Sequence, residues 1–365
     1  MLRNIKNMLD ANETPYESTI RKRGRIYIKT AEACNAAAKT ASTFGVSSAS
    51  PAIQTTSSIA NIAHVSIEFA NEALRFGSSF AVRCNRVGEH SYSSLDVCRR
   101  VGASILATLK NREVRVDLTN PDFTVSIEVR DCDAYVFAEK LEGPKGFPLG
   151  SQGKLVALLS GGIDSPVACW LVMRRGCPII PVYFDNAPYT DESTAQKAID
   201  TSKTLFNWSP CFPRRLYLLP NGRNLRTFIE DAPRKFTCLL CKRFMYHVAE
   251  RIAEKEHAEG IVTGEAIGEQ ASQTLTNLGV LDEAATRFPV HRPLLGFDKT
   301  ETEKLARRIG TLEISTRRAK GCIAAPNQPA TQAKLERVKE AEQRLDLECM
   351  IKETVDTAKI ITVKS

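Results

Sequence analysis

Ser160-Gly161-Gly162-Ile163-Asp164-Ser165 follows directly on the apolar run Leu155-Val156-Ala157-Leu158-Leu159. A buried strand that breaks at paired glycines and opens into a helix over Pro166–Arg175 aims backbone N–H groups and a helix N-terminus at one spot, which suits a phosphate. Gly161 and Gly162 permit close backbone approach and positive φ, Ser160 and Ser165 add hydroxyl donors, and Pro166 presets the first helical turn. Asp164 can orient a magnesium ion. The string is not a Walker A loop, because Gly153-Lys154 runs into Leu155 and position 148 is Pro148.

Three cysteines form a second chemical set. Cys238-Leu239-Leu240-Cys241 is the one close C-x-x-C pair among eleven cysteines, and Cys322 stands downstream in Lys320-Gly321-Cys322-Ile323. In a reducing compartment such a pair reads as metal, cluster or redox chemistry before structural disulfide. Three thiolates can hold an iron–sulfur cluster with one iron left open for sulfide. The same thiols can relay a persulfide, with Cys322 as carrier and Cys238 or Cys241 resolving. A structural or zinc role is the third reading, with His247 as the one sequence-local extra ligand. Spacing leaves all three open. Cys169 and Cys177 read as small core residues.

The elements that must position these groups alternate from Gly153 onward. Leu155–Leu159, Pro178–Phe184, Arg215–Leu219 and Gly260–Thr263 read as strands, and Pro166–Arg175, Thr190–Phe206, Cys241–Glu256 and Thr300–Ile309 as helices. That order predicts a doubly wound parallel sheet with ligands at the carboxyl ends of its strands. Before residue 150 the pattern differs. Helices over Ala31–Ala41 and Leu95–Leu109 alternate with strands at Arg25–Lys29, Phe80–Asn85, Val114–Asp117 and Phe123–Arg130. Glu142–Lys154, with four glycines and two prolines, reads as a hinge, and Ser42–Ser58 as a second boundary.

A chain of 365 residues, 43% hydrophobic and 25% charged, is globular and long enough for two or three domains. No apolar run approaches the ~20 residues that span a bilayer, and the N-terminus lacks a signal-peptide core, so a cytoplasmic protein with no membrane partner is expected. The net charge of +8 is spread along the chain and suits a polyanionic partner. Its one dense patch, Arg21-Lys22-Arg23-Gly24-Arg25, reads equally as a solvated loop.

Several blocks carry a family resemblance. SGGIDS resembles the PP-loop of the ATP pyrophosphatases, which cut ATP between its α and β phosphates and leave an adenylylated substrate. Phe80-Ala81-Val82-Arg83-Cys84-Asn85-Arg86 and the run from Val116 to Val129 resemble a THUMP domain, an RNA-binding module. Residues 1–50 are similar to the small ferredoxin-like domain that accompanies it, expected here as partial because no strand precedes the helix Leu2–Leu9. The combination resembles the ThiI family of tRNA 4-thiouridine synthetases over nearly the whole chain. The implied fold is α/β: a partial ferredoxin-like domain (1–50), a THUMP domain (51–145), a PP-loop domain with a doubly wound parallel sheet (150–350), and a C-terminal tail (351–365).

The resemblance also implies roles. Leu158, Leu159, Ser160, Gly161, Gly162, Asp164 and Ser165 would bind ATP, with Tyr183 and Phe184 as its wall and one of the two rings stacked on adenine. Thr263-Gly264-Glu265 and Ala271-Ser272-Gln273-Thr274 match a family block in which Gly264 leaves room for the nucleotide and Gln273 bonds to it. Lys242 falls where a basic residue contacts ATP, and Lys299 where a lysine supports adenylylation. The implied reaction is ATP-dependent, magnesium-assisted thiolation of uridine 8 in tRNA, by adenylylation of O4 and then attack of sulfur. The chain resembles the branch without a C-terminal rhodanese domain, which favours a [4Fe-4S] or [3Fe-4S] cluster on Cys238, Cys241 and Cys322. Sulfide or a cysteine desulfurase persulfide would supply the sulfur, and a homodimer is expected. The alternatives are a PP-loop ligase or amidotransferase acting on a small molecule, a role in thiamine thiazole sulfur transfer, and a non-catalytic RNA-binding protein.

Overall fold

The computed structural model describes residues 1–22 and 24–363. The first elements are α1 (Leu2–Ala11), a hairpin of β1 (Ser18–Lys22) and β2 (Arg25–Lys29), and α2 (Ala33–Ala41). Ile5, Leu9, Ala36 and Val46 close a small core between the helices and the hairpin. The basic run is therefore mostly strand: Lys22 pairs with Arg25 across the hairpin, while Arg23 lies outside the described residues.

Next come β3 (Ser48–Ala49), β4 (Ile53–Thr56), α3 (Ile59–Ala73), β5 (Ser79–Val87), α4 (Ser94–Thr108), β6 (Arg115–Val116), β7 (Phe123–Arg130), β8 (Asp133–Phe137) and β9 (Leu141–Glu142). Five of these strands form a sheet in the order β4-β8-β7-β5-β6, with β5 parallel to β6 and β7. Alternation along β7 sends Val125, Ile127 and Val129 into the core with Val97, Val101 and Ile105 of α4. Its opposite face meets the hairpin. Tyr27 stacks on Tyr135 at 4.7 Å between centroids, Arg25 pairs with Glu128 at 3.1 Å and Lys22 with Asp133 at 3.6 Å.

The remainder comprises β10 (Leu155–Leu158), α5 (Asp164–Arg174), β11 (Ile179–Asp185), α6 (Glu192–Asn207), β12 (Arg215–Pro220), α7 (Gly222–Glu230), α8 (Thr237–Glu256), β13 (Ile261–Val262), α9 (Leu275–Asp282), β14 (Val290–His291), α10 (Lys299–Ile309), α11 (Leu312–Ser315), α12 (Leu335–Glu342), α13 (Leu347–Asp356) and β15 (Lys359–Thr362). The six-stranded sheet runs β14-β13-β10-β11-β12-β15. Its first five strands are parallel, and β10 and β11 up to Phe184 read as near-continuous buried apolar runs because helices cover both faces. Order reverses beside β10, so the cleft at its carboxyl end is the switch point of the fold.

Two expectations are corrected. Residues 351–365 are not a tail: they complete α13 and supply β15, which pairs antiparallel with β12 and shields that edge, while Lys364 and Ser365 lie outside the described residues. The Glu142–Lys154 segment is not a free hinge. Phe147 N donates to Arg174 O at 2.9 Å, Gly150 N to Gly176 O at 2.9 Å, and Asn4 Nδ2 to Leu149 O at 2.8 Å. The N-terminal elements also reach the sheet domain directly, where Phe44 is 1% exposed against Trp170 and Trp208. Among the described residues no helix is long and apolar enough to cross a membrane.

Candidate active site

The Ser160–Ser165 loop leaves the carboxyl end of β10 and enters α5. Ser165 Oγ accepts from Ser160 N at 2.8 Å and lies 2.9 Å from Ser160 Oγ, which accepts from Gly162 N at 3.2 Å. The two serines thus fold the loop on itself. Neither glycine adopts positive φ, contrary to expectation. Space is what a side chain at 161 would lack: its Cβ would sit 3.3 Å from Thr194 Cγ2 and 3.5 Å from Lys197 Cδ. Gly264 is likewise not spacing for a ligand. A Cβ there would lie 2.5 Å from Ser165 N, so the glycine lets β13 press against the loop backbone.

Lys299 is the first residue of α10, whose start is fixed by Asp298 and Glu301 in a reciprocal capping box. Its Nζ lies 2.9 Å from Asp164 Oδ1 and 3.2 Å from Glu269 Oε2. Partial burial opposes the Lys299 charge, but the two carboxylates outweigh it and raise its pKa. Lys242 Nζ lies 3.1 Å from Glu265 Oε1. Glu265 is 5% exposed and also receives Tyr246 Oη at 2.6 Å and Arg292 Nε at 2.8 Å. Burial pushes this carboxyl up, and Lys242, Tyr246 and Arg292 together bring it below its usual range.

Of these groups Lys242 lines a cavity of about 610 Å³, while Asp164, Glu265, Glu269 and Lys299 are not part of its wall. Its walls include Leu158, Leu159, Ser160, Gly161 and Gly162, both rings of Tyr183 and Phe184, Lys242, and the segment Gln270–Ser272. Tyr183 and Phe184 point to opposite faces of the sheet yet both reach the cavity from the end of β11. Gln273 follows this wall, 6% exposed, and its Oε1 has no hydrogen-bond partner among the described residues.

Cys238, Cys241 and Cys322 line the same cavity. The pair lies in the first turns of α8, and Arg234 ties the Cys322 loop to that helix by donating to Ala324 O at 3.0 Å and Thr237 Oγ1 at 3.2 Å. Burial pushes Cys241 up to about 12, against Asn221 Nδ2, which donates to its Sγ at 3.5 Å. Burial raises Cys238 and Cys322 as well. Among the described residues no group of three or more His, Cys, Asp or Glu is drawn together around a metal position. His247 does not join the thiols. It lies among Arg243, Glu250, Glu283 and Glu342, and burial lowers its pKa. Cys169 is buried and Cys177 half-buried, both away from this cavity.

Sequence reasoning gave no role to Glu265, Glu269 or Asn221. Their partners come from elements far apart in the chain, and no local spacing announces them.

A family model described as Thiamine biosynthesis protein (ThiI) matches residues 150–347, and a THUMP domain model matches residues 57–139. The "Probable tRNA sulfurtransferase" of Methanosarcina mazei is 41% identical over 363 residues, 99% of this chain and 89% of the relative. Its namesake from Halobacterium salinarum is 42% identical over 321 residues, 87% of this chain and 81% of the relative. The crystal structure of a 4-thiouridine synthetase–RNA complex with bound ATP superposes with a TM-score of 0.87 at 32% identity, covering 100% of this chain and 95% of that one. PH1313 from Pyrococcus horikoshii Ot3 gives 0.63 at 25% identity, over 84% and 92%.

Proposed function

Because the chain belongs to the ThiI family of tRNA sulfurtransferases, we propose that it uses ATP to replace O4 of uridine 8 in tRNA with sulfur, making 4-thiouridine. The observation that carries this reading is the shared cavity, where a loop suited to phosphates and three thiols border the same space.

A carbonyl oxygen is a poor leaving group. In this reading O4 attacks the α-phosphate, the bond to pyrophosphate breaks, and the base is left adenylylated. A sulfur nucleophile then attacks C4, and AMP departs with the oxygen. The loop N–H groups and the Ser160 hydroxyl face the phosphates, Ser165 holds the loop in shape through Ser160, and Lys242 and Lys299 neutralise charge as it develops. Asp164, a partly exposed carboxylate paired with Lys299, is the group that would hold magnesium, which would supply charge neutralisation for the departing pyrophosphate. Tyr183 and Phe184 offer ring surface to adenine. The uridine has to be unstacked to enter, and the positively charged chain suits the tRNA backbone.

For the sulfur step, Cys238, Cys241 and Cys322 are the donor set that would hold a [4Fe-4S] or [3Fe-4S] cluster. Three soft sulfur ligands bordering one cavity suit that group in type, although they are not drawn together around a metal position, and when bound it would offer an iron position to sulfide. The chain's own part is to hold these sulfurs beside the activated base, through Arg234 and Asn221. Sulfide or a desulfurase persulfide is the donor, the cytoplasm the setting, and a homodimer the assembly that the family resemblance supports.

Anaerobically purified protein, given unmodified tRNA, ATP, magnesium and sulfide, should release AMP and pyrophosphate and place 4-thiouridine at position 8, read by nucleoside mass spectrometry. Adenylylation confined to a small molecule, with tRNA unchanged, would overturn the proposal.

A further inference from the structure

Lys197 lies on α6, one turn beyond Thr194, and is 7% exposed. Its stem runs under Gly161 of the phosphate loop, and its ammonium donates to Ser315 O at 3.0 Å. Ser315 Oγ in turn donates to Gly162 O at 3.2 Å. Among the described residues no carboxylate forms an ion pair with Lys197. An ammonium is almost never buried without a counter-charge, because desolvation disfavours it strongly. One neutral carbonyl is poor compensation. The loop above it is assigned to an anion.

We propose that Lys197 is a positioning residue of the phosphate site, a fixed positive charge beneath the loop for which the polyphosphate of ATP is the counter-ion. Lys242, on the cavity wall, is engaged by Glu265, and Lys299 by Asp164 and Glu269. Lys197 is different in that no acid has to release it. Its ammonium is buried against Ser315, the residue that also holds Gly162 O, where charges interact more strongly than at a surface. The absence of a side chain at Gly161 is what allows the stem to lie so near. The Lys197–Ser315–Gly162 chain also ties α11 to the loop, so the charge and the loop geometry are held by one contact set.

This inference rests on reading Ser160–Ser165 as the loop that holds the phosphates of ATP. The test is a graded anion series: binding of ATP, pyrophosphate and AMP by calorimetry to the wild-type chain, Lys197→Met and Lys197→Gln, with tRNA affinity measured in parallel. Met removes charge and donor together; Gln keeps a donor for Ser315 O and removes the charge alone. Both variants should lose ATP and pyrophosphate affinity at least ~10-fold and AMP affinity less than ~3-fold, with tRNA binding unchanged. Equal losses for AMP and ATP would make Lys197 a scaffold residue and overturn the proposal, as would wild-type ATP affinity in Lys197→Gln. If Lys197→Met does not fold, by circular dichroism, Lys197→Gln decides. A wild-type chain that binds none of the three anions would instead overturn the site reading itself.

Discussion

Lys299 Nζ and Asp164 Oδ1 stand 2.9 Å apart, joining the first residue of α10 to the first residue of α5, where the phosphate loop enters that helix. The ion pair holds the loop's carboxylate and a basic residue together, and both are wanted elsewhere once a nucleotide arrives. It is 46% and 25% exposed at its two side chains, so its own contribution to stability is small.

Lys299→Ala should therefore leave thermal unfolding nearly unchanged while AMP release with unmodified tRNA falls by ~10²–10³, the usual effect of deleting one charge-stabilising group. Asp164→Ala should behave alike. Wild-type turnover in either variant would remove the loop from the chemistry.

The Cys238→Ala, Cys241→Ala, Cys322→Ala triple variant should still release pyrophosphate, since activation uses other groups than the thiols, but should release no stoichiometric AMP and form no 4-thiouridine, because AMP leaves only when sulfur attacks C4. Alkylation of Cys241 should be slow at pH 8 and quicken with rising pH, because burial keeps the thiol protonated to about pH 12. Full thiolation by the triple variant would exclude any sulfur-carrying role for these residues.

Glu265 couples the site to stability. Its folded pKa is depressed, so its contribution is complete above the unfolded carboxylate value and fades as pH falls through the folded one. Glu265→Gln, which leaves Arg292 and Lys242 without their buried partner, should cost ~3–5 kcal/mol at pH 7 and less in acid. Denaturant unfolding at pH 7 and pH 3.5 measures the difference. A penalty independent of pH would remove the carboxylate from the account.

Gly264→Ala drives a methyl group to 2.5 Å from Ser165 N. The loop must shift, with a stability loss of ~1–3 kcal/mol from overpacking and a larger loss of ATP affinity. Unimpaired ATP binding in this variant would show that the loop has room the structure does not give it.

The sheet was legible because β10, β11 and β12 are apolar runs bounded by breaking residues, and the phosphate loop because SGGIDS keeps its chemistry in six consecutive positions. What escaped was set by distant packing. Lys-Ile-Ile-Thr at 359–362 is too short to announce a strand, and only the free edge of β12 makes it one. Lys197 reads as an ordinary helix lysine until α11 and the loop close over it. Gly264 suggested room for a ligand, whereas the neighbour that needs the room is Ser165. Ser42–Ser58 looked like a boundary, and within it Phe44 is one of the least exposed side chains.

The contact of Phe44 with Trp170 and Trp208 has an optical consequence. The chain holds two tryptophans, and both ring systems lie within 5.6 Å of Phe44 by centroid, one of them on the helix that starts at the phosphate loop. Tryptophan fluorescence of this protein therefore comes from a single place, the seam where the N-terminal elements dock on the ATP-using half. An unlabelled sample reports, through its emission maximum alone, whether the two halves remain joined.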